Sequence, residues 1–119
     1  MKRPLDGRLI LVAEDEPLIA LNIRQTFEDE GASVITALTL KDALRGVEDP
    51  DLSAAILDHA LSDGDTTEVC ERLKGRNIPF VIYSGYAVLD GACGEGVQVK
   101  KPATVSELLA TIKSVLAVA

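Results

Sequence analysis

The chain has 119 residues, a net charge of −7 and 47% apolar residues, with two Phe, two Tyr and no Trp. That length holds one domain, residues 1–119, with an aliphatic core. The acidity and the lack of any basic stripe argue against direct nucleic-acid binding.

Short apolar runs alternate with amphipathic stretches. Arg8–Ala13 reads as a buried strand, and a helix runs from Leu18 to about Glu30 with Ile19, Ile23 and Phe27 on one face. Pro17 suits the first turn and Gly31 the stop. Ala32–Ala37 is a second strand. Thr39 and Asp42 open a helix that carries Leu40, Ala43, Leu44 and Val47 on one side. Ser53–Leu57 is a third strand that ends at Asp58. Ser62–Asp65 reads as a loop, with Asp63 and Asp65 shaping or capping the helix Thr66–Lys74. Pro79–Tyr83 is a fourth strand. Gly85–Gly96 is rich in glycine and leaves room for at most a short, weak helix over residues 86–90. Val97–Val99 is a fifth strand, and Thr104 with Glu107 opens a closing helix with an apolar stripe from Val105 to Leu116.

Five strands alternating with helices predict a parallel α/β sheet covered on both faces. No stretch is apolar for long enough to span a membrane, and the first residues do not read as a signal peptide. A cytoplasmic protein with Cys70 and Cys93 as free thiols is the simplest expectation, ahead of a Cys70–Cys93 disulfide.

Ligands of open parallel sheets bind beyond the carboxyl ends of the strands. Those ends carry Glu14 and Asp15, Asp58, Ser84, and Lys100 with Lys101. Glu14 and Asp15 also suit the start of the first helix, where acids favour the dipole. Three carboxylates on neighbouring strands repel and need a cation or a shared proton. An all-oxygen set suits a hard ion, Mg²⁺ or Mn²⁺, rather than a metal that prefers His or Cys. A carboxylate can also attack phosphorus. The resulting charge would be met by the metal, by Lys101 and by the Ser84 hydroxyl. Lys101 is favoured over Lys100 because it precedes Pro102, and a cis bond there would turn its side chain into the site. His59, the single histidine, reads as a residue beside the pocket that tunes access.

The runs Leu9–Pro17, Ala55–Asp58 with Gly64, Ser84, and Lys101-Pro102 together resemble receiver domains of two-component response regulators, and they cover nearly the whole chain. The resemblance implies a flavodoxin-like fold with strand order 2-1-3-4-5 and a fourth helix that is short or weak here. It implies Asp58 as phosphoacceptor, and Glu14, Asp15, Asp58 and the Ala60 carbonyl around the metal, Asp15 more directly than Glu14. Ser84 would be the switch hydroxyl and Lys101 the phosphate-pairing lysine. Ser62 stands where many receivers have Pro, and Gln98 where the family usually has a switching aromatic. The run from Pro79 to Tyr86 is similar to a Pro-Phe-x-Phe-x-Thr-Gly-Tyr subgroup found in alphaproteobacteria, which makes Tyr86 a candidate replacement aromatic.

The implied function is a stand-alone signalling switch rather than an enzyme. It would be phosphorylated by a sensor histidine kinase or a histidine phosphotransfer protein and act by contact with a downstream protein. The alternative is a phosphorylation-independent binding module on the same fold. An aspartate-nucleophile phosphatase would need a second Asp where Ala60 stands. A flavin protein would need a Ser/Thr-rich loop after the first strand.

Overall fold

The computed structural model describes residues 2–85 and 91–117. Five parallel strands form the central sheet: β1 (Leu9–Ala13), β2 (Ser33–Ala37), β3 (Ala54–Asp58), β4 (Phe80–Ser84) and β5 (Val97–Lys100). Their order is 2-1-3-4-5, as the resemblance implied. Among the described residues four α-helices flank them: α1 (Pro17–Asp29), α2 (Leu40–Gly46) and α3 (Thr67–Gly75) between strands, and α4 (Val105–Ala117) after β5.

Strand alternation divides the core into two layers. Leu11, Ala55, Leu57 and Ile82 pack with Ala43, Val69 and Leu73 of α2 and α3. Ile10, Val12, Ile56, Val81 and Tyr83 pack with Ile23 and Phe27 of α1 and with Leu108 and Ile112 of α4. Every residue of β3 and β4 is buried, whereas β2 and β5 are partly exposed, as befits central and edge strands. Leu5 joins the second layer, its N–H donating 2.9 Å to the Glu30 carbonyl.

Local chemistry sets the helix ends. Pro17 is the first residue of α1, and Gly31 follows that helix at φ +102°. A side chain there would meet the backbone: a Cβ would stand 2.9 Å from the Asp6 nitrogen. Thr39 Oγ1 accepts from the Asp42 N–H at 3.1 Å, and Thr104 Oγ1 accepts from the Glu107 N–H at 3.1 Å, so both expected caps form.

Three expectations are corrected. The stretch after Asp58 is not a plain loop, because Ala60–Leu61 pairs antiparallel with Gly64–Asp65 in a short hairpin. Gly64 adopts φ +145° there, a backbone conformation that L side chains rarely adopt. Asp65 does serve α3, accepting from the Thr67 N–H at 3.1 Å, but Asp63 caps α2, accepting from the Leu40 N–H at 2.7 Å. The hairpin carries Asp63 across to a helix whose start lies 23 residues earlier. Finally, Cys70 and Cys93 are disulfide-bonded rather than free, with Cα atoms 5.1 Å apart. A 3₁₀ turn at Gly91–Glu95 packs on α3 and brings Cys93 to it. The weak helix expected over residues 86–90, and Tyr86 with it, lie outside the described residues.

Candidate phosphoryl-acceptor site

The carboxyl ends of β1, β3 and β4, together with the turn after β5, enclose a cleft of about 650 Å³. Its wall includes Glu14, Asp15, Asp58, Ala60, Tyr83 and Lys101. Parity explains the set: Glu14, Asp58 and Tyr83 continue the alternation of Val12, Ile56 and Val81, which face α1 and α4. Ser84 has the opposite parity. It is buried at the end of β4 and is not among the described residues that line the cleft.

Glu14, Asp15 and Asp58 each offer an oxygen, and those oxygens lie within 4.8 Å of one another. The first two acids do not cap α1. Glu16 holds the N-cap position without a side-chain hydrogen bond, and Glu14 Oε1 accepts from the Glu16 N–H at 3.0 Å. Asp58 is buried, with Oδ1 accepting from the Ala60 N–H at 3.2 Å and Oδ2 from Lys101 Nζ at 3.0 Å. The Lys101–Pro102 bond is cis, and Lys101 rather than Lys100 reaches Asp58.

Burial pushes the Glu14 carboxyl up from 4.5 to about 7, helped by the charges of Asp58 and Asp15 and opposed by the Glu16 N–H and Lys101. Three converging carboxyl groups fit a hard divalent cation, whose charge would favour the ionised form of Glu14. Among the described residues no His or Cys joins this cluster.

Two residues that the sequence reading passed over complete the surroundings. Thr66 is fully buried, and its hydroxyl donates to the carbonyls of Asp58 and His59 at 3.1 and 3.3 Å. It ties the start of α3 to the chain at Asp58 and His59. Tyr83 is buried with its hydroxyl donating to Glu14 Oε2 and its ring centroid 5.0 Å from Lys101 Nζ. The hydroxyl of a Tyr next to the last residue of a buried strand, Phe80–Ser84, is the signal the sequence carries. His59 is half-buried; its N–H donates to the Tyr83 carbonyl and its carbonyl accepts from the Thr66 N–H.

A flavodoxin-like sheet with an acid cluster, a buried Asp and a reaching Lys at its carboxyl edge defines a receiver-type domain. The family model of the response regulator receiver domain matches residues 10–113, and the chain belongs to that family. It is similar to the transcriptional regulatory protein TcrA of Mycobacterium tuberculosis, 29% identical over 92% of this chain and 46% of TcrA. The chain thus spans about half the length of that relative. Among solved structures it is similar to a CheY-like response regulator receiver domain protein from Methanospirillum hungatei, at 28% identity and TM-score 0.81, covering 92% of this chain and 94% of that one. A response regulator receiver protein from Sinorhizobium medicae shares the fold at 23% identity and TM-score 0.81, covering 95% of this chain and 97% of that one.

Proposed function

We propose that this receiver domain is a phosphorylation-dependent switch whose acceptor is Asp58. The observation that carries the reading is the pairing of Asp58 Oδ2 with Lys101 Nζ at 3.0 Å, beside carboxylates that converge within 4.8 Å. The donor would be a phosphohistidine on a sensor kinase or a histidine phosphotransfer protein. An Asp58 oxygen attacks phosphorus, the P–N bond breaks, and the imidazole leaves with its electron pair. Lys101 neutralises charge on the transferring oxygens. Ser84 would donate its hydroxyl to the phosphoryl group once formed.

Glu14, Asp15, Asp58 and the Ala60 carbonyl are the residues that would hold Mg²⁺ or Mn²⁺. Bound there, the ion would supply further charge neutralisation to the phosphoryl oxygens. The chain's own residues orient the acceptor: the Ala60 N–H and Lys101 each hold one Asp58 oxygen.

The output of the domain is contact with a downstream protein, in a cytoplasmic setting, with no direct role in binding nucleic acid. No helix among the described residues is long and apolar enough to cross a membrane. The run Pro79–Tyr86 supports placing the chain with the Pro-Phe-x-Phe-x-Thr-Gly-Tyr receivers, with Tyr86 as the signalling aromatic in place of Gln98.

Incubation with acetyl phosphate and Mg²⁺, followed by intact-mass and peptide analysis, tests the reading. Labelling at Asp58 that is lost on chelation and in Asp58→Asn is the expected result. A metal-loaded, folded protein that takes no label would leave the phosphorylation-independent binding module as the better account.

A further inference from the structure

We propose that Tyr83 is a positioning residue for this site: its hydroxyl orients Glu14 for the cation, and its ring seats Lys101 against Asp58. The inference rests on the reading that the acid cluster binds a divalent cation and that Asp58 accepts the phosphoryl group. The Pro-Phe-x-Phe-x-Thr-Gly-Tyr pattern leaves this position open, so the resemblance assigns Tyr83 nothing.

Tyr83 is the β4 partner of Asp58, and its parity turns the ring toward the layer shared by α1 and α4. From there one side chain reaches both neighbours of the acceptor. The hydroxyl donates to Glu14 Oε2, while Glu14 Oε1 is already held by the Glu16 N–H at 3.0 Å. Each oxygen of a carboxylate that is only 2% exposed therefore has its own donor. With one donor alone, the carboxylate could turn about its last bond. With two, its plane is defined and its remaining lone pairs have a fixed direction.

The ring does the second task. Lys101 Nζ stands 5.0 Å from the ring centroid and 3.0 Å from Asp58 Oδ2. The aromatic face attracts the ammonium and gives a side chain that is 39% exposed a surface to lie on. Phe at this position would keep the seat and drop the donor. An aliphatic residue would drop both. Losing a group that hydrogen-bonds a metal ligand typically costs about 10–100-fold in metal affinity.

The two tasks separate in experiment. Mn²⁺ affinity is read from the signal of free Mn²⁺ by electron paramagnetic resonance for the wild type, Tyr83→Phe, Tyr83→Leu and Glu14→Gln, each checked for a cooperative melt. Tyr83→Phe is expected to weaken Mn²⁺ binding roughly ten-fold or more. Its labelling rate by acetyl phosphate at saturating metal should stay within about two-fold of wild type. Tyr83→Leu should weaken the metal similarly and also lower the saturated rate, because Lys101 has lost its support. In a Glu14→Gln background, Tyr83→Phe should add little, since both act through one carboxylate.

Unchanged Mn²⁺ affinity in Tyr83→Phe overturns the assignment, and so does full additivity of the two substitutions. Should Tyr83→Leu not fold, the Phe variant and the double variant still decide. A wild type that binds no Mn²⁺ removes the cation reading and this inference together. A wild type that binds Mn²⁺ but takes no label at Asp58 removes the acceptor reading and the Lys101 half of the inference, and the Phe variant's affinity then judges the Glu14 half alone.

Discussion

Lys101 Nζ stands 3.0 Å from Asp58 Oδ2, an ion pair between a lysine that follows the edge strand β5 and the carboxylate that ends the central strand β3. The Asp58 side chain is 7% exposed and that of Lys101 39%, so solvent screens only one end of the pair. Replacing Lys101 with Ala removes the cation that pairs with Asp58. Acetyl phosphate labelling should slow on the order of 10²-fold, the scale for losing one preorganised charge donor. The metal-free protein should lose about 1 kcal/mol, discounted for the exposure of the lysine. Initial labelling rates and chemical denaturation measure the two effects.

Glu14 makes the stability of the metal-free domain depend on pH. Its carboxyl is raised from 4.5 to about 7 in the fold. Below pH 4.5 it is protonated in both folded and unfolded chains and adds no penalty. Between 4.5 and about 7 the folded chain holds a proton that the unfolded chain has released, so stability falls as pH rises. The full loss, reached above about pH 7, is at most about 3 kcal/mol. Glu14→Gln should flatten this slope and raise the melting temperature of the metal-free protein at pH 8. Mg²⁺ should flatten it too, by stabilising the ionised form. A thermal melt series from pH 4 to 8, with and without Mg²⁺, reads both outcomes.

Asp63 is expected to matter for α2 rather than α3. Its carboxylate accepts from the N–H groups of Leu40 and Lys41, and the Leu40 bond is the main cause of its lowered pKa. A depressed acid contributes stability above its unfolded value of 3.8 and loses it as pH falls through the lower folded value. Asp63→Ala should therefore lower the melting temperature at pH 7, and the difference from wild type should shrink in acid. Amide exchange should quicken at Leu40 and Lys41, which lose their acceptor, rather than along α3.

The Cys70–Cys93 bond closes a separation of 23 residues between α3 and the 3₁₀ turn. Closing a loop of that size constrains the unfolded chain by about 3 kcal/mol on the chain-entropy account. Dithiothreitol should lower the melting temperature accordingly, and Cys70→Ala/Cys93→Ala should melt near the reduced wild type and not respond to the reductant. Both sulfur-bearing residues are at most 2% exposed, so alkylation after reduction should be slow in the native state.

The sheet was legible because its information is local and periodic. Runs such as Ile10-Leu-Val12 and Ala55-Ile-Leu57 have no polar face, which is the mark of strands buried on both sides. Thr39 and Thr104 announce their helices through spacing alone. The convergence of Glu14, Asp15, Asp58 and Lys101 on the candidate site was legible for a related reason: strand ends in a parallel sheet all open on one edge, so residues that follow strands meet there.

What only the tertiary structure decided are the contacts whose partners come from different elements. The sequence places Asp63 beside α3, but the hairpin directs it to α2. It shows two buried-type cysteines, but only the packing of the 3₁₀ turn on α3 makes them partners. It shows Tyr83 as one more residue of an apolar strand, but strand parity and register set its hydroxyl on Glu14 and its ring under Lys101. Backbone periodicity is written into neighbouring residues. The choice of a hydrogen-bond or charge partner depends on which side chains the folded sheet and helices bring within a few ångströms, and no local pattern carries that distance.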